Sequence, residues 1–297
     1  MDGLSIQELP ELRSPVLIAA FRGWPDAQQA ASRAVRYLVR HLPAQRFASI
    51  DPEEYLDFSQ VRPITMLLPS GERTIQWPSN EFYYWRGQGA PQDLVLFLGT
   101  EPSLKWRTFT NVMIEVAKQC QISTLVTLGA FLDAVPHTRE PLVTASGSAA
   151  DLVRDQKRIT FRDSGYQGPT GIHGVLTDAF HREERPWISL WGHAPHYLQG
   201  MDNPKVSYAL LTRVLQLFDL PVDLERMRAA GGRFEREVTK VLEQRSELTT
   251  YVRQLEGRYD ASPSAEVEEM PDSQSLVEEL ERFLHQQQGG GGEPPDR

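Results

Sequence analysis

Four short, mostly apolar runs constrain this chain more than any other feature: residues 15–21, 93–99, 122–130 and 187–191. Each is far too short to span a bilayer. Each lacks the apolar/polar alternation of a strand with one wet face, so each reads as a strand buried on both sides. Helical stripes interleave with them. Ala27, Ala30, Ala31, Ala34, Val35, Leu38 and Leu42 follow the first run, and the many alanines suit close packing on a sheet. Phe109, Val112, Met113, Val116, Ala117 and Cys120 follow the second. A glycine-rich loop over 165–171 leads into a helix over 172–180. Asn203 with Pro204, an N-cap residue before a helix-starting proline, opens another through about Phe218. Strands alternating with helices predict an α/β fold with a mainly parallel sheet covered on both faces. Residues 46–50, 61–68, 73–77 and 81–86 add an antiparallel, aromatic section, with Pro69-Ser70-Gly71-Glu72 turning a hairpin.

The chain divides into a core over 1–222, a helical extension over 223–258 and an acidic tail over 259–297. In the extension Phe234, Val238, Val241, Arg245, Leu248, Val252 and Leu255 recur at spacings of four and three, the stripe of a helix that docks on its own domain or on a partner. The tail reads as a linker over 261–265, a short amphipathic helix on Leu276, Val277, Leu280, Phe283 and Leu284, and a disordered end over 286–297. It also holds the charge: of a net −9, the stretch from Asp260 to Arg297 carries −8 and the rest −1. A near-neutral body has no basic footprint for nucleic acid. The one cysteine, Cys120, rules out an intrachain disulfide, and its place on a helical stripe predicts a buried structural thiol. The N-terminus lacks a basic segment followed by an apolar one, so no secretory signal is expected. No membrane association is expected either, and the reading is cytoplasmic.

In parallel α/β sheets, ligands bind outside the carboxyl ends of the strands. Four loops qualify, after Phe21, Gly99, Ala130 and Trp191. The first holds Trp24 and Asp26; a helix N-terminus there can bind an anion, and the structural alternative has Asp26 capping the helix and Trp24 covering the sheet. The second holds Glu101, a general base if desolvated, or half of an i,i+4 pair with Lys105. The third holds Pro136, His137, Thr138 and Arg139. Imidazole beside guanidinium suits an anionic or carbonyl ligand; otherwise Arg139 pairs with Glu140 or Asp133. The fourth holds His193, Pro195, His196, Tyr197 and Asn203. Two histidines three apart can share a metal, but no His-Glu-x-x-His pattern is present and Pro195 opposes a helical presentation, so no metal site is predicted. Tyr166 and Thr170 flank the glycine-rich loop, which can clamp a ligand or act as a hinge. His173 and His181 read as core or surface fillers. Nucleotide fingerprints and the Gly-x-Ser-x-Gly elbow are absent, so no cofactor and no reaction is predicted.

The segments Phe21-x-Gly23-Trp24-x-Asp26-Ala27, Gly99-x-Glu101-Pro102-x-x-x-Trp106, Gly129-Ala130 through Pro136-His137-Thr138-Arg139, Gly168-Pro169-Thr170-Gly171-Ile172, Trp191 through Pro195-His196-Tyr197, and Asn203-Pro204-Lys205 occur in one order. Together they resemble the proteasome assembly chaperone 2 family, in its bacterial branch, over about 9–227. The resemblance implies a phosphorylase/hydrolase-like three-layer α/β/α domain with a mixed sheet, and homo-oligomers, trimers among them. It also implies a chaperone-like or partner-binding role, and the helical stripe of the extension suits a protein contact through the C-terminal helices. Fold analogy, with His137, Arg139 and His196 on strand-end loops, offers a second reading, an enzyme or binder of a nucleoside-like or phosphorylated small molecule; a third is a structural oligomerisation module in which the same residues form intersubunit contacts. Two departures stand out. Gln28 occupies a position where glycine is expected, and the end Pro295-Asp296-Arg297 lacks the hydrophobic-Tyr-x motif by which some relatives dock on proteasome rings.

Overall fold

The structure, a computed structural model, describes residues 3–87, 90–153, 159–161 and 166–261. The predicted tail features beyond Ala261, and Gly165 of the glycine-rich loop, lie outside them. In chain order the elements are β1 (Leu4–Ile6), β2 (Val16–Arg22), α1 (Ala30–His41), β3 (Gln45–Ile50), β4 (Ile64–Leu67), β5 (Arg73–Gln76), β6 (Asn80–Trp85), β7 (Leu94–Thr100), α2 (Trp106–Gln119), β8 (Thr124–Asp133), β9 (Val143–Gly147), β10 (Thr160–Phe161), α3 (Ile172–Arg182), β11 (Trp187–Pro195), α4 (Pro204–Phe218), α5 (Glu225–Leu242) and α6 (Ser246–Ala261).

Nine strands form one sheet in the order β1-β3-β6-β7-β2-β8-β11-β9-β10. Its centre, β7-β2-β8-β11, is parallel; β1, β3 and β6 on one side and β9 on the other run antiparallel to their inner neighbours. The four apolar runs are the four central strands, and alternate residues feed two cores. Ile18, Leu96, Val126 and Leu190 face α1 and α4; Leu17, Val95, Phe97 and Leu125 face α2 and α3. This is a three-layer α/β/α arrangement. Ala30, Ala31 and Ala34 are fully buried, so α1 lies close to the strands, while Val35 and Leu38 fill the space behind them. Each fully buried aliphatic side chain contributes on the order of 1.5–3 kcal/mol of transfer free energy. Cys120 is buried at the end of α2, and burial pushes its thiol up to about 11. Among the described residues no helix is long and apolar enough to cross a membrane.

Three readings change. The strands after 122 and 187 run further than their apolar cores, to Asp133 and Pro195, because β8 and β11 stay in parallel register to the pair Asp133–Pro195. Strand β9 carries Thr144, Ser146 and Gly147 and has no apolar run to announce it; antiparallel pairing with β11 makes it a strand. The C-terminal stripe is two helices rather than one. The chain breaks at Glu243–Arg245, and both helices turn their apolar residues onto Tyr197 and Leu198, forming a third small core with Phe234, Val238, Leu242, Leu248, Val252 and Leu255. The stripe therefore docks on its own domain.

Candidate functional site

After β2 the chain turns through Trp24-Pro25, and the Pro25 carbonyl accepts from the Ala130 N–H at 2.8 Å. Asp26 is buried. Its Oδ1 accepts from the N–H groups of Ala31 (2.9 Å) and Ser32 (3.0 Å), so it caps α1, and burial raises its pKa against those bonds. Gln28 and Gln29 lie between cap and helix in the left-handed region, with φ of 56° and 52°. That conformation accounts for the glycine expected at position 28. Gln28 holds it through its side chain: Nε2 donates to the Pro195 carbonyl at 2.7 Å, and Oε1 accepts from Asn203 Nδ2 at 2.7 Å. Asn203 Oδ1 in turn accepts from the N–H groups of Lys205 and Val206, capping α4. One buried Gln28–Asn203 pair thus ties the first strand-end loop to the last.

The two Pro-His turns lie beneath α5 and α6. The Tyr197 hydroxyl accepts from the His137 backbone N–H (2.8 Å) and bonds His137 Nδ1 at 2.7 Å; burial keeps the ring neutral, so one of its nitrogens donates and the other accepts. The other ring nitrogen, Nε2, bonds Thr239 Oγ1 (3.1 Å), which donates to the Glu235 carbonyl (2.8 Å). With Thr239 donating to Glu235, Nε2 is the donor, and the neutral ring leaves Nδ1 to accept from Tyr197. Burial, assisted by the Lys205 ammonium, depresses His137 to about 4. Lys205 Nζ donates to the His137 carbonyl at 2.7 Å and to Glu235. His196 Nδ1 donates to the Asp133 carbonyl (3.0 Å), so Nε2 accepts from the Tyr251 hydroxyl of α6 (3.0 Å). Arg139 does not pair with Glu140 or Asp133. Its guanidinium forks onto Asp260, both bonds 2.8 Å, and also reaches Glu256 at 3.1 Å. Asp133 is taken by His193 at 2.6 Å; burial raises its carboxyl, and the bonds from His193 and the Ala134 N–H with the nearby imidazoles outweigh this, leaving it lowered. The other His193 nitrogen meets Thr144 at 3.1 Å.

A second group gathers at the start of α3. Glu101 does not pair with Lys105, which sits in a left-handed turn and bonds Glu54 at 2.6 Å. The Glu101 carboxylate accepts instead from the Ile172 N–H (2.8 Å) and the Trp24 N–H (3.2 Å), capping α3. Trp24 does not cover the sheet. Its indole is 66% exposed and lies against Gly171, where a Cβ would come within 3.0 Å of both the ring and Glu101 Oε1. Glycine is what lets the indole and the carboxylate meet there. Tyr166 is exposed, its hydroxyl on the Pro169 carbonyl, and Thr170 bonds the Gly171 carbonyl. Behind them His173 is buried between Phe21 and Trp191. Neither ring nitrogen has a partner among the described residues, and burial pushes it down to about 3.

The nine sequence candidates therefore do not line one crevice. Trp24, Glu101, Tyr166 and Thr170 surround the α3 N-terminus; His137, Arg139 and His196 anchor the C-terminal helices; Asp26 and Asn203 cap α1 and α4. Between the Pro-His turns remains a cavity of about 10 Å³, bordered by His137, His193, Asn203 and Lys205, with room for about one water. Among the described residues no three His, Cys, Asp or Glu side chains form a metal-holding group. The partners that sequence reasoning missed, Glu235, Thr239, Tyr251, Glu256 and Asp260, all lie on α5 and α6. Their local signal is two four-residue pairs beside the apolar stripe, Glu235 with Thr239 on α5 and Glu256 with Asp260 on α6.

The PAC2 family profile matches residues 20–242. A PAC2 family protein from Streptomyces avermitilis is 38% identical, with a TM-score of 0.71 over 80% of this chain and 99% of its own. A proteasome-assembly chaperone homologue from Mycobacterium tuberculosis is 36% identical, with a TM-score of 0.69 over 80% and 99%. A second Mycobacterium tuberculosis protein, of unknown function, reaches a TM-score of 0.79 at 27% identity over 96% of both chains. No curated protein matches the chain.

Proposed function

The chain belongs to the PAC2 family, and on that premise we propose that it is an oligomeric, chaperone-like protein of the cytoplasm that binds a protein partner through its C-terminal helices. One observation carries this reading: the polar groups best suited to a small molecule, His137, Arg139 and His196, are already bonded to α5 and α6. The space they leave fits one water, whereas small-molecule pockets measure about 300–1,000 Å³. The strand-end loops then act as the seat of the helical extension, and its outward side, with Arg233, Arg236, Lys240 and Arg253 exposed, is the surface offered to a partner. The Mycobacterium tuberculosis relative points to the class of partner, subunits of a proteasome-like assembly.

The test is reconstitution of proteasome rings from separated subunits of the same organism. The protein should raise the rate or yield of assembly, and Arg233→Glu with Arg236→Glu should remove the effect without lowering thermal stability. The small-molecule alternative makes a different prediction. A metabolite from a nucleoside and phosphate panel should raise the melting temperature, and His137→Ala with Arg139→Ala should abolish that rise. That pattern, with no effect on assembly, would overturn the proposal.

A further inference from the structure

Strands β4 and β5 bond only to each other in a ladder, as a ribbon outside the nine-stranded sheet. Every residue from 64 to 77 is exposed. Six of them are large and apolar, from Leu68 at 40% to Leu67 at 70% exposed. The register sets Ile64 and Met66 on one side of the ribbon and Leu67 and Ile75 on the other. Among the described residues neither side joins one of the three cores, and an isolated two-stranded hairpin is marginal in water. Apolar side chains on both faces, with two free edges, mark a contact surface.

At the foot of the ribbon lies a groove of about 620 Å³, bordered by Ile50, Asp51, Glu53, Phe58, Trp77 and Glu81. Trp77 meets Phe58 edge-on at 5.0 Å and fixes where the ribbon leaves the body. Among the described residues the one cation lining the groove, Arg46, is bonded to Glu81 at 2.8 Å, which leaves the rim acidic at Asp51 and Glu53. The ribbon tip carries Leu67, Leu68, Glu72 and Arg73; Glu72 lies in the turn, whereas Arg73 is paired with Leu67 on the ladder and has no ion pair among the described residues. The chain thus holds both halves of a contact, an apolar arm with a cation at its tip and an apolar groove with an acidic rim.

We propose that the β4–β5 ribbon is an arm by which one copy of this chain grips a second, its apolar tip in the partner's groove and Arg73 against Asp51 and Glu53 there. Charge complementarity favours a second copy over an unrelated protein, because the matching groove is on the same chain. Arm and groove together offer roughly two dozen residues, the number one side of a standard interface uses, about 20–30. The inference rests on the oligomeric part of the reading above and adds the surface that makes the contact.

Sedimentation velocity of the full chain across a concentration series, with cross-linking mass spectrometry, tests it. The wild type should sediment as an oligomer, with cross-links between ribbon and groove of different copies. Leu67→Asp with Ile75→Asp should sediment as a monomer that keeps the wild-type circular dichroism, since both side chains are more than half exposed. Arg73→Glu should weaken association by about tenfold or more, and adding Glu53→Arg should restore it. An oligomer indifferent to the Asp pair, cross-linked elsewhere, would overturn the arm and leave the oligomeric reading standing. A monomeric wild type would overturn both. A monomer whose ribbon instead binds a different protein would overturn the choice of a second copy.

Discussion

Replacing His137 with glutamine isolates the proton balance of the helical seat. In the folded chain the imidazole is neutral, accepting from Tyr197 and donating to Thr239. Protonation would set a second N–H against the Tyr197 hydroxyl proton in a buried site beside Lys205, and the ring titrates at about 4 instead of 6.5. The sign follows from which state takes up the proton. Above about pH 6.5 both states are neutral and the full stability is present. As pH falls through 6.5 the unfolded chain binds a proton that the folded chain refuses, and stability is lost until the folded ring titrates near 4. At about 1.4 kcal/mol per unit, the loss is about 3 kcal/mol. Glutamine does not titrate. At neutral pH the variant should be less stable by about 1–3 kcal/mol, because its hydrogen bonds are imperfect replacements. Towards pH 4 the wild type should give up about 3 kcal/mol relative to the variant, so the gap closes or reverses. Urea unfolding of both proteins across this range measures it, and every other acid-sensitive group cancels in the difference. A gap that stays constant with pH would refute the neutral, doubly bonded His137.

Three other changes probe the frame. His173→Phe removes a buried imidazole that has no partner among the described residues, and should stabilise by roughly 1–2 kcal/mol at neutral pH; its advantage should widen as pH falls from 6.5 towards about 3, where the folded ring titrates. Thermal unfolding with pH reads this, and a loss at neutral pH would mean the ring is held by a bond. Arg139→Ala breaks bonds to Asp260 and Glu256 that are open to solvent, so global stability should change by less than about 1 kcal/mol. Amide exchange in the second half of α6 should quicken, as it should for the wild type in high salt; unchanged exchange would show that the ion pairs do not hold the helix. Gly129→Ala puts a Cβ within 2.6 Å of the Trp191 ring and should cost about 1–3 kcal/mol by displacing it, read as a lowered melting temperature.

What the sequence disclosed follows from how local the cause is. The central strands and helices α1 to α4 were legible because burial on both faces and helical periodicity are written in neighbouring residues. So was the α4 cap, where Asn203 and Pro204 act on the next turn. Strand β9 was not, since Thr144, Ser146 and Gly147 become a strand only through pairing with β11. The candidate site was legible by place and not by partner. His137, Arg139 and His196 are where strand-end loops put them, but Thr239, Asp260 and Tyr251, which occupy their polar atoms, arrive from helices 55 to 121 residues away in sequence. Glu101 shows the same limit. Its local partner Lys105 was the natural choice, yet the carboxylate goes to the Ile172 N–H, 71 residues on.

The central claim is that the chain offers a protein-binding surface on α5 and α6 and keeps its strand-end loops for holding those helices. Native mass spectrometry of the full chain with separated proteasome subunits of the same organism, and with a nucleoside and phosphate panel, measures both sides of that claim. A defined protein complex that the Arg233→Glu, Arg236→Glu pair abolishes, with no adduct from the panel, is the predicted result. A small-molecule adduct that His137→Ala removes, with no subunit bound, would contradict it.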